Sequence, residues 1–262
     1  MVLSTKAIIK DKLNSVLSNA ALIHLSAITS CSSLYKAFEH EREGRGATRG
    51  PSNLVEQDIL RAMLVMSCAG FDSTIKQMIR DALPLLVNSN NTAQSQLEIF
   101  TERQFRRSDG DIVTNSKFLA KILASKYTYQ IVVESYIKEL TGDSLQSTDQ
   151  LFKAVKALGI DVKILPLKKD ILNEIFLVRN QIIHELDIDL QGRRKRRSRT
   201  RDKIIAWCDY LLDLTKSIIE QVDMLVPKAL IHLRRPRRRA PIMISRHKLK
   251  VVDIFKQKDN KG

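Results

Sequence analysis

Apolar residues in this chain recur at three- and four-residue steps, and almost nowhere before the final segment do they alternate. That period belongs to helices that bury one stripe, and it leaves little from which to build a sheet. Two runs set the architecture. Leu60, Met63, Leu64, Ser67, Cys68, Phe71, Ile75, Met78 and Ile79 line one stripe of a long helix. It is capped by Ser52 or Asn53 and expected to stop or bend at Pro84, whose ring forbids a regular helical bond. Ile204, Ile205, Leu211, Leu212, Leu214, Ile218, Ile219 and Val222 form a second long stripe over 200–225. Stripes of this kind must pack on one another, so the expected class is all-α, a helical bundle.

Shorter elements fill the chain between and around them. A helix is expected over 5–42, then a flexible Gly- and Arg-rich loop over 44–51. A polar loop over 88–96 precedes helical stretches at 97–107, 114–124 and 127–140. Ser147-Thr148-Asp149-Gln150 reads as a capping box that starts a helix ended by Gly159. Another helix spans 168–185. Pro227 closes the last one. The division is therefore an N-terminal helix (1–42), a helical domain (53–226) and a basic tail (227–262). In the tail, the short alternating stretches 242–244 and 249–255 suit a hairpin or packing on the body, and 256–262 is expected to be disordered.

Composition narrows the function. Aromatic residues make up 5% of the 262, too few for the base-stacking platforms that many RNA-binding sheets use. No apolar run reaches the roughly 18 residues of a membrane helix, and the first residues lack a signal-like apolar core. A soluble, cytoplasmic protein is expected. Cys31, Cys68 and Cys208 are far apart and read as buried reduced thiols. The five His are dispersed without metal-ligand spacing, so neither metal nor cofactor is expected.

Charge is the next constraint. The net value of +15 is concentrated in two runs. The first holds Arg193, Arg194, Lys195, Arg196, Arg197 and Arg199; the second holds Arg234, Arg235, Arg237, Arg238 and Arg239. Such runs repel themselves and need solvent or a polyanion. A nucleic acid is the expected partner, held through its phosphates without reading sequence, with a solvated loop as the plain alternative.

The chemistry concentrates in Arg179-Asn180-Gln181-Ile182-Ile183-His184, within the helix over 168–185. A helix advances about 100° per residue, so Asn180 and His184 stack one turn apart and Arg179 lies beside them. Arg followed five positions later by His would arise by chance roughly 0.4 times in such a chain. Requiring Asn directly after the Arg lowers that about twenty-fold. The plain structural alternative is an amphipathic helix on which Arg179 and His184 pair with Glu174 or Glu185. The functional one is a phosphodiester site: a guanidinium for charge, an amide for placement and an imidazole for protons. Asp72 is a supporting candidate, with pairing to Lys76 as its alternative. Asp187 is another, either orienting His184 or solvated at the helix end.

In an all-α setting, Arg179-Asn180-x-x-x-His184 resembles the signature of the HEPN superfamily, in particular its RiboL-PSP-type domains. The stretch from Arg61 through Ala69-Gly70-Phe71-Asp72 to Leu83 is similar to that group's long second helix. Ala157-Leu158-Gly159-Ile160 followed by Val178 to Asp187 is similar to the segment bearing its motif. The likeness covers about 53–225. It implies RNA in particular as the partner, and a metal-independent endoribonuclease acting by attack of the ribose 2′-OH, with Arg179, Asn180 and His184 as the catalytic trio. It also implies a homodimer with a composite cleft, and a toxin or anti-phage effector that an antitoxin or regulatory protein accompanies. Two readings compete: a non-catalytic helical module binding nucleic acid or a partner protein, and a regulatory subunit whose tail docks an enzyme or antitoxin.

Overall fold

The structure, a computed structural model, describes residues 15–46, 50–105, 116–192 and 194–226. Among them are eight α-helices and no strand, an all-α bundle as the apolar period requires. A 3-10 turn, Ser15–Leu17, leads into α1 (Ser18–Gly44). Then come α2 (Leu54–Leu86), α3 (Asn91–Phe105), α4 (Ser116–Leu123), α5 (Thr128–Gly142) and α6 (Thr148–Ala157). After a 3-10 turn at Val162–Ile164, α7 (Lys169–Glu185) and α8 (Arg201–Leu225) complete the described chain. The expected tail hairpin, its arginines, and Arg193 lie outside the described residues.

The bundle is organised around α2, on which α1, α8, α5 and α7 all pack. Its expected stripe, from Leu60 to Ile79, is buried throughout. Each large aliphatic or aromatic side chain placed there stabilises by about 1.5–3 kcal/mol relative to exposure. At its start, Asn53 Oδ1 accepts from Glu56 N at 2.8 Å and Glu56 Oε2 accepts from Asn53 N at 3.2 Å, a closed capping box. At its end, α2 runs past Pro84 to Leu86, later than expected. Pro84 forgoes the bond to the Arg80 carbonyl, but the helical bond from Val87 N to Leu83 O (3.0 Å) and the burial of Leu86 and Val87 carry the helix past it. α1 crosses α2 at closest range at Gly70, where a Cβ would lie 2.2 Å from that of Ala27. Only hydrogen fits there.

The loop expected over 88–96 is corrected. α3 begins at Asn91 because Asn90 Oδ1 caps it, accepting from Ala93 N at 3.0 Å. The polar residues of that stretch are the helix's wet face, opposite buried Ala93 and Leu97. Ser147 caps α6 as expected, accepting from Gln150 N at 3.2 Å. The Gln150 side chain closes back onto Gln146 N (2.7 Å), one residue earlier than a capping box requires. Gly159 ends the α6 segment in the left-handed region, φ +76°. A Cβ there would meet the Asn90 amide at 2.5–2.8 Å, and that amide is committed to capping α3.

Cys31, Cys68 and Cys208 are free and buried, as their apolar settings predict. His24 of α1 is buried too, and neither ring nitrogen has a partner among the described residues. Burial, with Lys216 nearby, lowers its pKa to about 4. The unfolded chain binds a proton at His24 below about pH 6.5, while the folded chain refuses it until about pH 4. Its contribution to stability is therefore complete above pH 6.5 and falls progressively as the pH drops towards 4, by about 3 kcal/mol in all. Urea unfolding from pH 7 to 4 is expected to show that loss, and His24→Met to remove most of it. An identical pH dependence in both proteins would contradict the assignment.

Candidate functional site

α7 is amphipathic in the ordinary way on one side: Leu172, Ile175, Phe176 and Val178 are buried, with α2 and α6 as its packing neighbours. The opposite side carries Asn173, Leu177, Asn180 and His184, spaced at three to four residues along one face. Arg179 is half-buried at the margin, and its Nη1 donates to Asn180 Oδ1 at 2.8 Å. The guanidinium reaches towards α2: burial pushes the Cys68 thiol up to about 12, and Arg179 acts on it in the opposite direction. His184 is exposed in the last turn, and no hydrogen bond or ion pair engages it among the described residues.

The acids that could have made this an ordinary ion-paired surface are occupied elsewhere. Glu174 pairs with Lys203 of α8, and Glu185 Oε2 accepts from Arg197 Nη1 at 3.0 Å. Arg179 and Asn180 therefore touch each other, and the imidazole one turn on is left open to solvent. Exposed apolar groups flank the trio: Leu177 (58%), Ile183 (41%) and Leu186 (66%). The trio lies on an open surface, apart from the 880 Å³ cavity lined by Leu97, Phe105, Tyr129 and Val132 of α3 and α5.

Immediately after His184-Glu185 the chain turns sharply. Leu186 (φ 51°) and Asp187 (φ 60°) are consecutive left-handed residues, and neither is glycine. Asp187 is fully buried. Its Oδ2 accepts from Arg61 Nε at 2.8 Å and Arg199 Nε at 3.0 Å, and Oδ1 accepts from Arg199 Nη2. Burial alone would push this carboxyl up; the hydrogen bonds and charges of Arg199 and Arg61 outweigh that and hold it below the usual carboxylate range. Asp187 thus faces two arginines rather than His184 or solvent. Asp72 is bonded to Lys76 Nζ (2.9 Å) and to Leu145 N (2.8 Å).

The described part of the first basic run is folded against the body. After the turn, Ile188 and Arg196 form an antiparallel bridge, the base of a short excursion. Arg196 Nη1 meets Asp58 at 2.8 Å, Arg197 binds Glu185 and the Ile188 carbonyl, and Arg199 binds Asp187 and Gln181. Gln57 clasps the Arg199 backbone from both sides, at 2.8 Å each. Intramolecular acids and carbonyls thus neutralise charges that sequence reasoning left to solvent or a polyanion. Arg194 and Lys195 differ: their backbones bond to Asp189, but both side chains are exposed and without a partner among the described residues.

Sequence reasoning missed Arg61, Gln57 and Asp58 as members of this cluster. Arg61 did leave a signal, a charge beside Leu60 and Leu64 on a buried stripe, where a charge must find a partner. The partner, 126 positions away, left none.

No group of three or more His, Cys, Asp or Glu among the described residues is arranged to hold a metal ion. No described helix is long and apolar enough to cross a membrane. A family model described as RiboL-PSP-HEPN matches residues 33–224, from within α1 nearly to the end of α8. No curated protein and no solved structure matches the chain.

Proposed function

The chain belongs to the RiboL-PSP-HEPN family, and from that premise we propose that it is a metal-independent endoribonuclease. The observation that carries this reading is the exposed imidazole of His184, without a partner among the described residues, one turn from an Arg179–Asn180 pair.

The reaction needs four movements of charge. The ribose 2′-oxygen attacks phosphorus, and its proton passes to an imidazole acting as base. The bond from phosphorus to the 5′-oxygen breaks, and an imidazolium returns a proton to that oxygen. The guanidinium of Arg179 stabilises the added negative charge on the phosphorane. Asn180 holds Arg179 in place through its carbonyl and has its amide N–H groups left to donate to a non-bridging oxygen.

One imidazole in one protonation state cannot be base and acid at once. Two copies of the chain that bring their His184 residues together divide the roles, so the working unit we propose is a homodimer. The exposed Leu177, Ile183 and Leu186 around the trio supply apolar surface for that pairing. Action as a cytoplasmic toxin or anti-phage effector, restrained by an antitoxin or regulatory protein, completes the reading.

The test is incubation of the purified chain with labelled single-stranded RNA, and with DNA of the same sequence, in EDTA. Cleavage of RNA and not of DNA is expected. Tight binding to both with no cleavage of either would replace the enzyme by a nucleic-acid-binding module.

Within this reading, Arg194 and Lys195 are the described cations of the first run left to meet phosphate. Replacing both with Ala is expected to weaken RNA binding for all sequences alike. The slope of log affinity against log salt should fall by about 1.4, at about 0.7 per phosphate contact on a single strand. An unchanged slope would show that they touch no phosphate.

A further inference from the structure

Three elements meet at the turn after α7. Arg61 comes from α2, Arg199 from the segment entering α8, and Asp187 from the turn itself. Arg199 does more than bind Asp187: its Nη2 also donates to Gln181 Oε1 at 2.9 Å, and Asp187 N donates to the Gln181 carbonyl at 2.9 Å. The last turn of α7 is thus tied at both ends, at Gln181 and at Asp187, by the same guanidinium. His184 lies between the two ties and has none of its own among the described residues.

Helix ends ordinarily fray, and a free side chain on a fraying turn has no fixed place. This end cannot unwind without withdrawing a buried carboxylate from two arginines. Nor is the turn a relaxed one, since non-glycine residues in the left-handed region persist only where their surroundings over-determine them. Arg61 Nη2 adds a bond to the Arg197 carbonyl (2.7 Å), which holds the returning backbone after Arg196 against α2.

From this we infer that Asp187, clamped by Arg61 and Arg199, is the positioning residue of the site, fixing the turn that sets where His184 stands. The clamp acts through the backbone: Asp187 touches no reacting atom and makes no hydrogen bond to the imidazole. The inference rests on the ribonuclease reading for its kinetic consequence, though not for its structural one.

The experiment compares native chain, Asp187→Asn, Arg199→Lys and His184→Ala in full length, with two readouts. One is the split of kcat from KM for RNA cleavage in EDTA. The other is the imidazole NMR signal of His184, assigned by its loss in His184→Ala. Asp187→Asn is expected to lower kcat about 100-fold with KM within about threefold, the scale of a small misplacement of a catalytic group. Its His184 signal should broaden or split. Arg199→Lys keeps the charge and loses the two-pronged grip, so about a 10-fold loss and the same change of signal are expected. If Asp187→Asn folds poorly, Arg199→Lys decides alone. Folded variants with native kcat and an unaltered His184 signal would overturn the inference. If His184→Ala proved as active as the native chain, the ribonuclease role of His184 would fall, while the imidazole signal would still decide the clamp.

Discussion

His184→Ala is expected to cost RNA cleavage about 10³–10⁴-fold while leaving the fold untouched. The side chain is exposed and has no described partner, so its removal costs no packing or hydrogen bond. General acid–base transfer by a placed group contributes about 10²–10⁴, and in a homodimer both transfers depend on this one residue. Arg179→Ala should cost about 10²–10³, the scale of losing one stabilising donor at a developing oxyanion. Arg179→Lys should recover little of that, because an ammonium offers no planar fork to a phosphorane and cannot reproduce the Asn180 contact in the same geometry. Steady-state cleavage of one labelled RNA by the three variants measures all of this. Activity within about threefold of native in His184→Ala would remove the imidazole from the mechanism.

The largest stability effect belongs to the clamp. Arg61 and Asp187 side chains are 5% and 0% exposed, and removing Arg61 takes away its bonds to Asp187 and to the Arg197 carbonyl and leaves the buried carboxylate to Arg199 alone. Arg61→Ala is expected to destabilise by about 3–5 kcal/mol, at about 1.5–3 kcal/mol for each charged hydrogen bond lost. Asp58–Arg196, a nearby pair with side chains 52% and 39% exposed, offers the contrast, and Arg196→Ala should cost less than about 1 kcal/mol. The native chain should also lose the clamp in acid. Because the Asp187 carboxyl is held below its ordinary value, its contribution is complete above that ordinary value, about pH 3.9. It is lost as the pH falls through the lower folded value. Urea unfolding of both variants at neutral pH is the check, and equal losses for Arg61→Ala and Arg196→Ala would contradict it.

The helices were legible because burial writes itself into sequence at a fixed period. The α2 stripe is buried as read, and so is the α8 stripe apart from Ile205, which lies 100° round from Ile204 at the stripe's edge. The start of α3 was not legible, since six polar-leaning residues after Asn90 look like a loop until Asn90 is seen to cap them. The trio was legible for a different reason: Asn180 and His184 share a face by arithmetic alone, once a continuous helix carries both. What surrounds the trio was not. Asp187 reads as a helix-end acid, and nothing in its neighbours announces an arginine from α2 and another from the α8 approach. The basic run misleads in the same way. Arg196, Arg197 and Arg199 look interchangeable with Arg194 and Lys195, and only tertiary contacts separate the charges that hold the turn from those left facing solvent.

The nature of the cut ends tests the central claim most directly. Single-turnover cleavage of an end-labelled RNA by the purified chain in EDTA, followed by analysis of both new termini, reports which oxygen attacked phosphorus. Attack by the neighbouring ribose hydroxyl, with His184 moving the protons, predicts a 2′,3′-cyclic phosphate on one fragment and a 5′-hydroxyl on the other. A 5′-phosphate with a 3′-hydroxyl, or cleavage that appears only when a divalent metal ion is restored, would contradict it.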